Sequence, residues 1–182
     1  MWSEIILSAL ILMLPLIISG SFHMMVVKRN WFAAWAIPLN EQAFGQNKTW
    51  RGILIMPLAT IPGTVLITLL HSWFQPVMLV DLTSTDPVLL GILLGIGYVI
   101  PELPNSWVKR RLRIPPGQQA AKNAFWFTLI DQTDSAIGCA IVYALMLDVP
   151  VIVFLWIILL GPLVHLVVNL TLYSVGLRKQ PF

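Results

Sequence analysis

The chain has 182 residues, 58% of them hydrophobic and only 10% charged, with a formal net charge of +3. That composition excludes a soluble domain of this length, and the recurring apolar runs make the bilayer the solvent for the fold. The single cysteine, Cys139, excludes an intramolecular disulfide, and no Cys/His cluster has zinc spacing.

A helix needs about 20 residues to cross the hydrocarbon core. In chain order the runs predict an all-α integral membrane protein, a single domain over 1–182, with five transmembrane helices near 5–27, 53–73, 88–107, 124–147 and 151–175. The first run lacks an early basic region and an A-x-A site, so it reads as a retained helix rather than a signal peptide. All eleven Lys and Arg side chains fall in 28–52, 101–123 or the tail: Lys28, Arg29, Lys48, Arg51, Lys109, Arg110, Arg111, Arg113, Lys122, Arg178 and Lys179. The opposite links carry Asp81, Asp86 and Asp148 and no cation. The positive-inside rule then predicts an outside N-terminus, a cytoplasmic C-terminus, and cytoplasmic loops over 28–52 and 101–123. Arg178 and Lys179 read as tail anchors. His23, His71 and His165 are scattered and read as packing or interface residues.

The third span is unusual. Its clean apolar part, 88–100, has 13 residues and is too short to cross alone. To cross, it must include "PELPNSW", where Pro101 and Pro104 each remove a donor. The third helix is therefore expected to break at Pro101–Pro104, with Glu102, Asn105 and Ser106 lining a wet cavity, since broken backbone at membrane depth needs such surroundings.

The fourth span holds Asp131 and Asp134 at i, i+3, on one helix face. A charge in mid-helix costs roughly 2.5–3.5 kcal/mol on insertion scales. The pair by itself leaves three readings open: a magnesium site, a helix–helix salt bridge, or a proton relay. Next to the expected break, "KRRLR" places Lys109, Arg110, Arg111 and Arg113 in five positions. Such a patch either anchors topology and binds anionic headgroups or, beside a carboxylate pair, cradles a polyphosphate. Before the second span, "AFGQNKTWRG" brings Lys48, Thr49 and Arg51 between two glycines. It lacks the spacing of a Walker A motif.

These motifs resemble those of CTP-dependent lipid enzymes. "KTWRG" is similar to the KTWEG element of CDP-diacylglycerol synthases. "PELPNSWVKR" keeps the spacing of their GDLxxSxxKR element, and "DQTD" matches the D-x-x-D that follows. With the short length, "FGQNKTWRG" and "KRRLRIPPG", the chain looks closer to the CDP-archaeol synthase family, over roughly residues 40–140. It departs from the pattern at Pro101-Glu102, where Gly-Asp is usual, and keeps only Pro116-Gly117 of the PGHGG element.

The resemblance implies a cytidylyltransferase of the cell membrane, its active site facing the cytoplasm. A lipid phosphate, archaetidic-acid-like or phosphatidic-acid-like, would attack the α-phosphorus of CTP and release pyrophosphate. Asp131 and Asp134 would hold Mg²⁺, with Glu102 as a third candidate ligand, and Lys109 would join the two aspartates as a catalytic residue. Lys48, Thr49, Arg51, Asn105, Ser106, Arg110 and Arg111 would bind phosphates or other substrate groups. CTP, a lipid phosphate and the bilayer are the expected partners; nucleic acid is not, and a homodimer is a candidate assembly. A small cation or proton transporter and a non-catalytic lipid-binding subunit are the rival readings.

Overall fold

The computed structural model describes residues 1–118 and 123–178, so Lys122 and Lys179 lie outside the described residues. Within them the chain is all-helical; no strand forms, only an isolated bridge between Pro38 and Thr49. Eight α-helices follow in order: α1 Trp2–Lys28, α2 Glu41–Phe44, α3 Trp50–Leu69, α4 His71–Phe74, α5 Pro87–Val99, α6 Glu102–Arg111, α7 Ala124–Met146 and α8 Val151–Ser174.

Local chemistry sets the ends. Asn40, Thr49 and Asp86 cap α2, α3 and α5 by accepting from Ala43 N, Gly52 N and Leu89 N. Pro87 occupies the first position of α5, where its missing donor costs nothing. The second span was expected to run to Trp73. The structure ends α3 at Leu69, because Leu70 leaves helical dihedrals (φ −89°, ψ 6°) and the short α4 follows. Between α5 and α6 the hydrogen-bond ladder lapses at Ile100–Pro101, yet both residues keep right-handed helical dihedrals. Pro104 falls in the first turn of α6, where a proline is tolerated.

Among the described residues four stretches are long and apolar enough to cross a membrane: Trp2–Lys28, Trp50–Leu69, Pro87–Arg111 and Val151–Ser174. The chain is therefore a multi-pass membrane protein. α7 has 23 residues but is not among them. Asp131, Gln132 and Asp134 dilute its apolar character. The five long helical stretches close a ring: α1 packs on α3, α3 on α5, α5 on α7, α7 on α8, and α8 back on α1. Large apolar side chains such as Leu58, Leu145, Leu159 and Leu163 face outward, as lipid contact requires.

Inside the ring the helices approach through small residues rather than through a water-driven core. A Cβ at Gly95 would lie 2.3 Å from Pro57 Cα, and one at Gly138 would lie 2.0 Å from Gly97 O. Tyr143 donates to Leu12 O across the bundle at 2.5 Å. The two ends of the ring are tied differently. Ser8 Oγ accepts from Leu79 N at one end. At the other, Lys28 donates to Gly176 O and joins the ends of α1 and α8.

Candidate active site

The Gly97–Gly138 crossing positions the site. With no side chain between α5 and α7, the start of α6 is drawn onto α7 one turn before Gly138. There Ser135 Oγ donates to Glu102 Oε1 at 3.0 Å. Asn105, one turn along α6, points its Nδ2 between the two aspartates, 2.6 Å from Asp131 Oδ1 and 3.1 Å from Asp134 Oδ2. Asp134, 9% exposed, also accepts from Ser135 N at 2.7 Å. Lys109 pairs with Asp131, and Lys48, arriving from the loop before α3, pairs with Glu102. Two ion pairs thus form at the site, while Asp134 accepts from neutral donors.

These groups line a polar cavity of about 810 Å³, which also takes in Ser106, Arg110 and Arg178. Arg110 reaches it by crossing Gly45: a Cβ there would lie 2.7 Å from Arg110 Nη1, and Gly45 has φ +85°. A second cavity of about 410 Å³ is largely apolar and runs between α1, α3 and α8, past Met13, Leu16, Met56 and Ile157. The two adjoin. Lys48, Glu102, Gln132, His165, Asn169 and Arg178 line both.

Of the residues expected from the sequence, Asp131, Asp134, Lys109, Asn105, Ser106, Arg110, Lys48 and Glu102 meet in the polar cavity. Thr49 lines the apolar one and caps α3. Arg51 stands apart. It is 8% exposed, donates to Asn30 Oδ1 and Trp31 O, each at 3.2 Å, and so holds the turn after α1. Arg111 lies over the Trp107 ring, 5.1 Å from its centroid, and faces a shallow outer hollow with Arg113. The sequence reading missed Arg178, expected only as a tail anchor. It also missed a chain of Tyr98, His165, Gln132 and Asn169 that links α5, α7 and α8.

Among the described residues no group of three or more His, Cys, Asp or Glu side chains could hold a metal ion. Two carboxylates do converge: oxygens of Asp131 and Asp134 both lie within hydrogen-bonding distance of one nitrogen. Hard oxygen donors on two carboxylates, completed by substrate phosphate and water, fit Mg²⁺. Glu102 is already engaged by Lys48 and Ser135.

A cavity that gathers cations and carboxylates suits a polyphosphate, and the adjoining apolar cavity suits an acyl or alkyl chain. A family model for CarS-like CDP-archaeol synthase matches residues 2–182. The chain belongs to the CDP-archaeol synthase family. That family is one of CTP-utilising nucleotidyltransferases. Among its relatives, the chain is 34% identical over 143 residues to a CDP-archaeol synthase of Thermofilum pendens, covering 78% of this chain and 60% of the relative. It is 32% identical over 150 residues to that of Methanosphaerula palustris, covering 78% and 82%. With that of Methanospirillum hungatei it shares 30% over 160 residues, covering 85% and 86%. No solved structure matches the chain.

Proposed function

We propose that this CDP-archaeol synthase family member transfers the cytidylyl group of CTP to an archaeal-type lipid phosphate at the cytoplasmic face of the cell membrane. The observation that carries the reading is that the two cavities adjoin. A water-soluble triphosphate and a membrane lipid must meet at one point, and here a charged cavity and an apolar one adjoin and share lining residues.

An oxygen of the lipid phosphate attacks the α-phosphorus of CTP. The new O–P bond forms as the bond from the α-phosphorus to the bridging oxygen breaks, and pyrophosphate leaves with that oxygen. The attacking phosphate is already anionic near neutral pH, so positioning and charge neutralisation do most of the work. Lys109 and Arg110 neutralise the triphosphate, with Ser106 as a neutral donor. Lys48 and Arg178, at the junction, neutralise the lipid phosphate. Asp131 and Asp134 are the residues that would hold Mg²⁺, which when bound supplies charge to the triphosphate. Asn105 keeps the two carboxylates facing each other, and Lys109 pairs with Asp131.

The topology follows from the same reading. α7 closes the ring between helices that can span, which supports it as a fifth span despite its aspartates. The bilayer crossing by α5 and α6 is then one interrupted helix with its break at Pro101. The Lys28–Gly176 contact joins the ends of α1 and α8 near the cationic cavity, which supports an outside N-terminus and a cytoplasmic C-terminus. Residues 1–182 act as one domain. A transporter would need ionisable groups beyond the junction, whereas the apolar cavity is lined there by Met13, Met56 and Ile157.

Purified protein in nanodiscs, given CTP, Mg²⁺ and a panel of ether- and ester-linked lipid phosphates, should release pyrophosphate and form CDP-lipid. No product with any lipid phosphate would overturn the reading.

A further inference from the structure

The residue between the two aspartates' turns of α7, Gln132, is held in one orientation. Its Oε1 lies 2.8 Å from His165 Nδ1 and 3.4 Å from Asn169 Nδ2, and His165 Nε2 lies 2.7 Å from Tyr98 OH. A phenol is a better donor than acceptor, so the chain runs in one direction: Tyr98 O–H to His165 Nε2, then His165 Nδ1–H to Gln132 Oε1. The Asn169 amide adds a second donor to the same oxygen. Its oxygen is committed to α8, and among the described residues no acceptor meets its two N–H groups. Gln132 lines both cavities, at the junction that Lys48 and Arg178 also line.

An amide nitrogen held open at a junction of polar and apolar cavities is a donor awaiting an acceptor. We propose that Gln132 is a substrate-binding residue whose N–H groups grip the phosphate of the lipid substrate, with Tyr98 and His165 as positioning residues that keep its oxygen turned away. The triphosphate, deeper in the polar cavity, meets Lys109 and Arg110. The junction is where a phosphate attached to chains in the apolar cavity comes to rest. A neutral donor there binds the anion while adding no charge to a site already crowded with ions.

The inference rests on the cytidylyltransferase reading. Wild-type turnover tests that reading by itself; only the comparison of variants tests this one. Gln132→Glu is the discriminating change. A carboxylate still accepts from His165 and Asn169, so a purely structural role predicts no change specific to the lipid. A donor role predicts that the oxygen replacing the NH₂ repels the lipid phosphate. In nanodiscs with a dialkylglycerol phosphate as the probe, Gln132→Glu should raise KM for that lipid at least about tenfold, leaving KM for CTP within about twofold. Tyr98→Phe removes one oxygen and frees the His165 tautomer, so it should raise the same KM about threefold with kcat little changed. Should the glutamate variant not fold, Gln132→Leu and Tyr98→Phe carry the test with the same split between the two substrates. An unchanged lipid KM in the variants that fold, or a rise in KM for CTP instead, would overturn the assignment.

Discussion

Asp134 is buried, and its neighbours decide what a substitution there does. Its Oδ1 accepts from Ser135 N, and Asn in its place keeps that oxygen, losing only the bond that Oδ2 accepts from Asn105 Nδ2. Asp134→Asn should therefore leave the melting temperature in detergent within a few degrees, while turnover falls at least about a hundredfold because one of two converging carboxylates is lost. Activity above about half of wild type in saturating Mg²⁺ would contradict a metal-holding role. Cations are tested by position rather than by count. Lys109→Gln and Arg110→Gln should each lower kcat/KM for CTP by at least about tenfold, as expected for a charged hydrogen bond of roughly 1.5–3 kcal/mol. Arg113→Gln, in the outer hollow, should change it less than about twofold. Arg178→Gln should behave like a site residue and not like a tail anchor, because its side chain lines both cavities. Equal, small effects at all four positions would reduce the cations to topology anchors.

At the scale of elements, the Gly97–Gly138 crossing couples fold to chemistry. Gly138→Leu must push α5 and α7 apart, since even a Cβ would lie 2.0 Å from Gly97 O and 2.4 Å from Pro101 Cγ. Overpacking of this kind costs roughly 1–3 kcal/mol. The melting temperature should fall, and activity should fall further than stability alone explains, because Glu102 and Asn105 move away from α7. A variant that melts lower but keeps full turnover at a permissive temperature would detach the crossing from the site. The helices themselves were readable in the sequence, because apolar runs and caps are local signals: α7 and α8 end within a residue of expectation. The stop of α3 was hidden, because no proline or glycine follows Leu69. Motif spacing brought out Asp131, Asp134, Lys109 and Asn105, which sit on two adjoining helices. It could not bring out Gln132 with His165, 33 positions apart on different helices and joined by one hydrogen bond. Arg51 misled for the same reason: two residues beyond Thr49 on a helix, a side chain points elsewhere.

For the whole molecule, the claim is that one ring of helices brings a charged nucleotide and a membrane lipid to a common point from different solvents. Its orientation is testable by reporter fusions after Val80 and after Phe182. These should report opposite sides of the membrane, with the second in the cytoplasm. The same side for both would sink the odd number of spans. The chemistry is tested most directly by following the label. With CTP labelled at the α-phosphorus and, separately, at the γ-phosphorus, protein in nanodiscs containing a dialkylglycerol phosphate should place the α-label in the lipid fraction and the γ-label in released pyrophosphate, one for one. A γ-label in the lipid, or an α-label that stays in soluble nucleotide while lipid phosphate is present, would contradict the account.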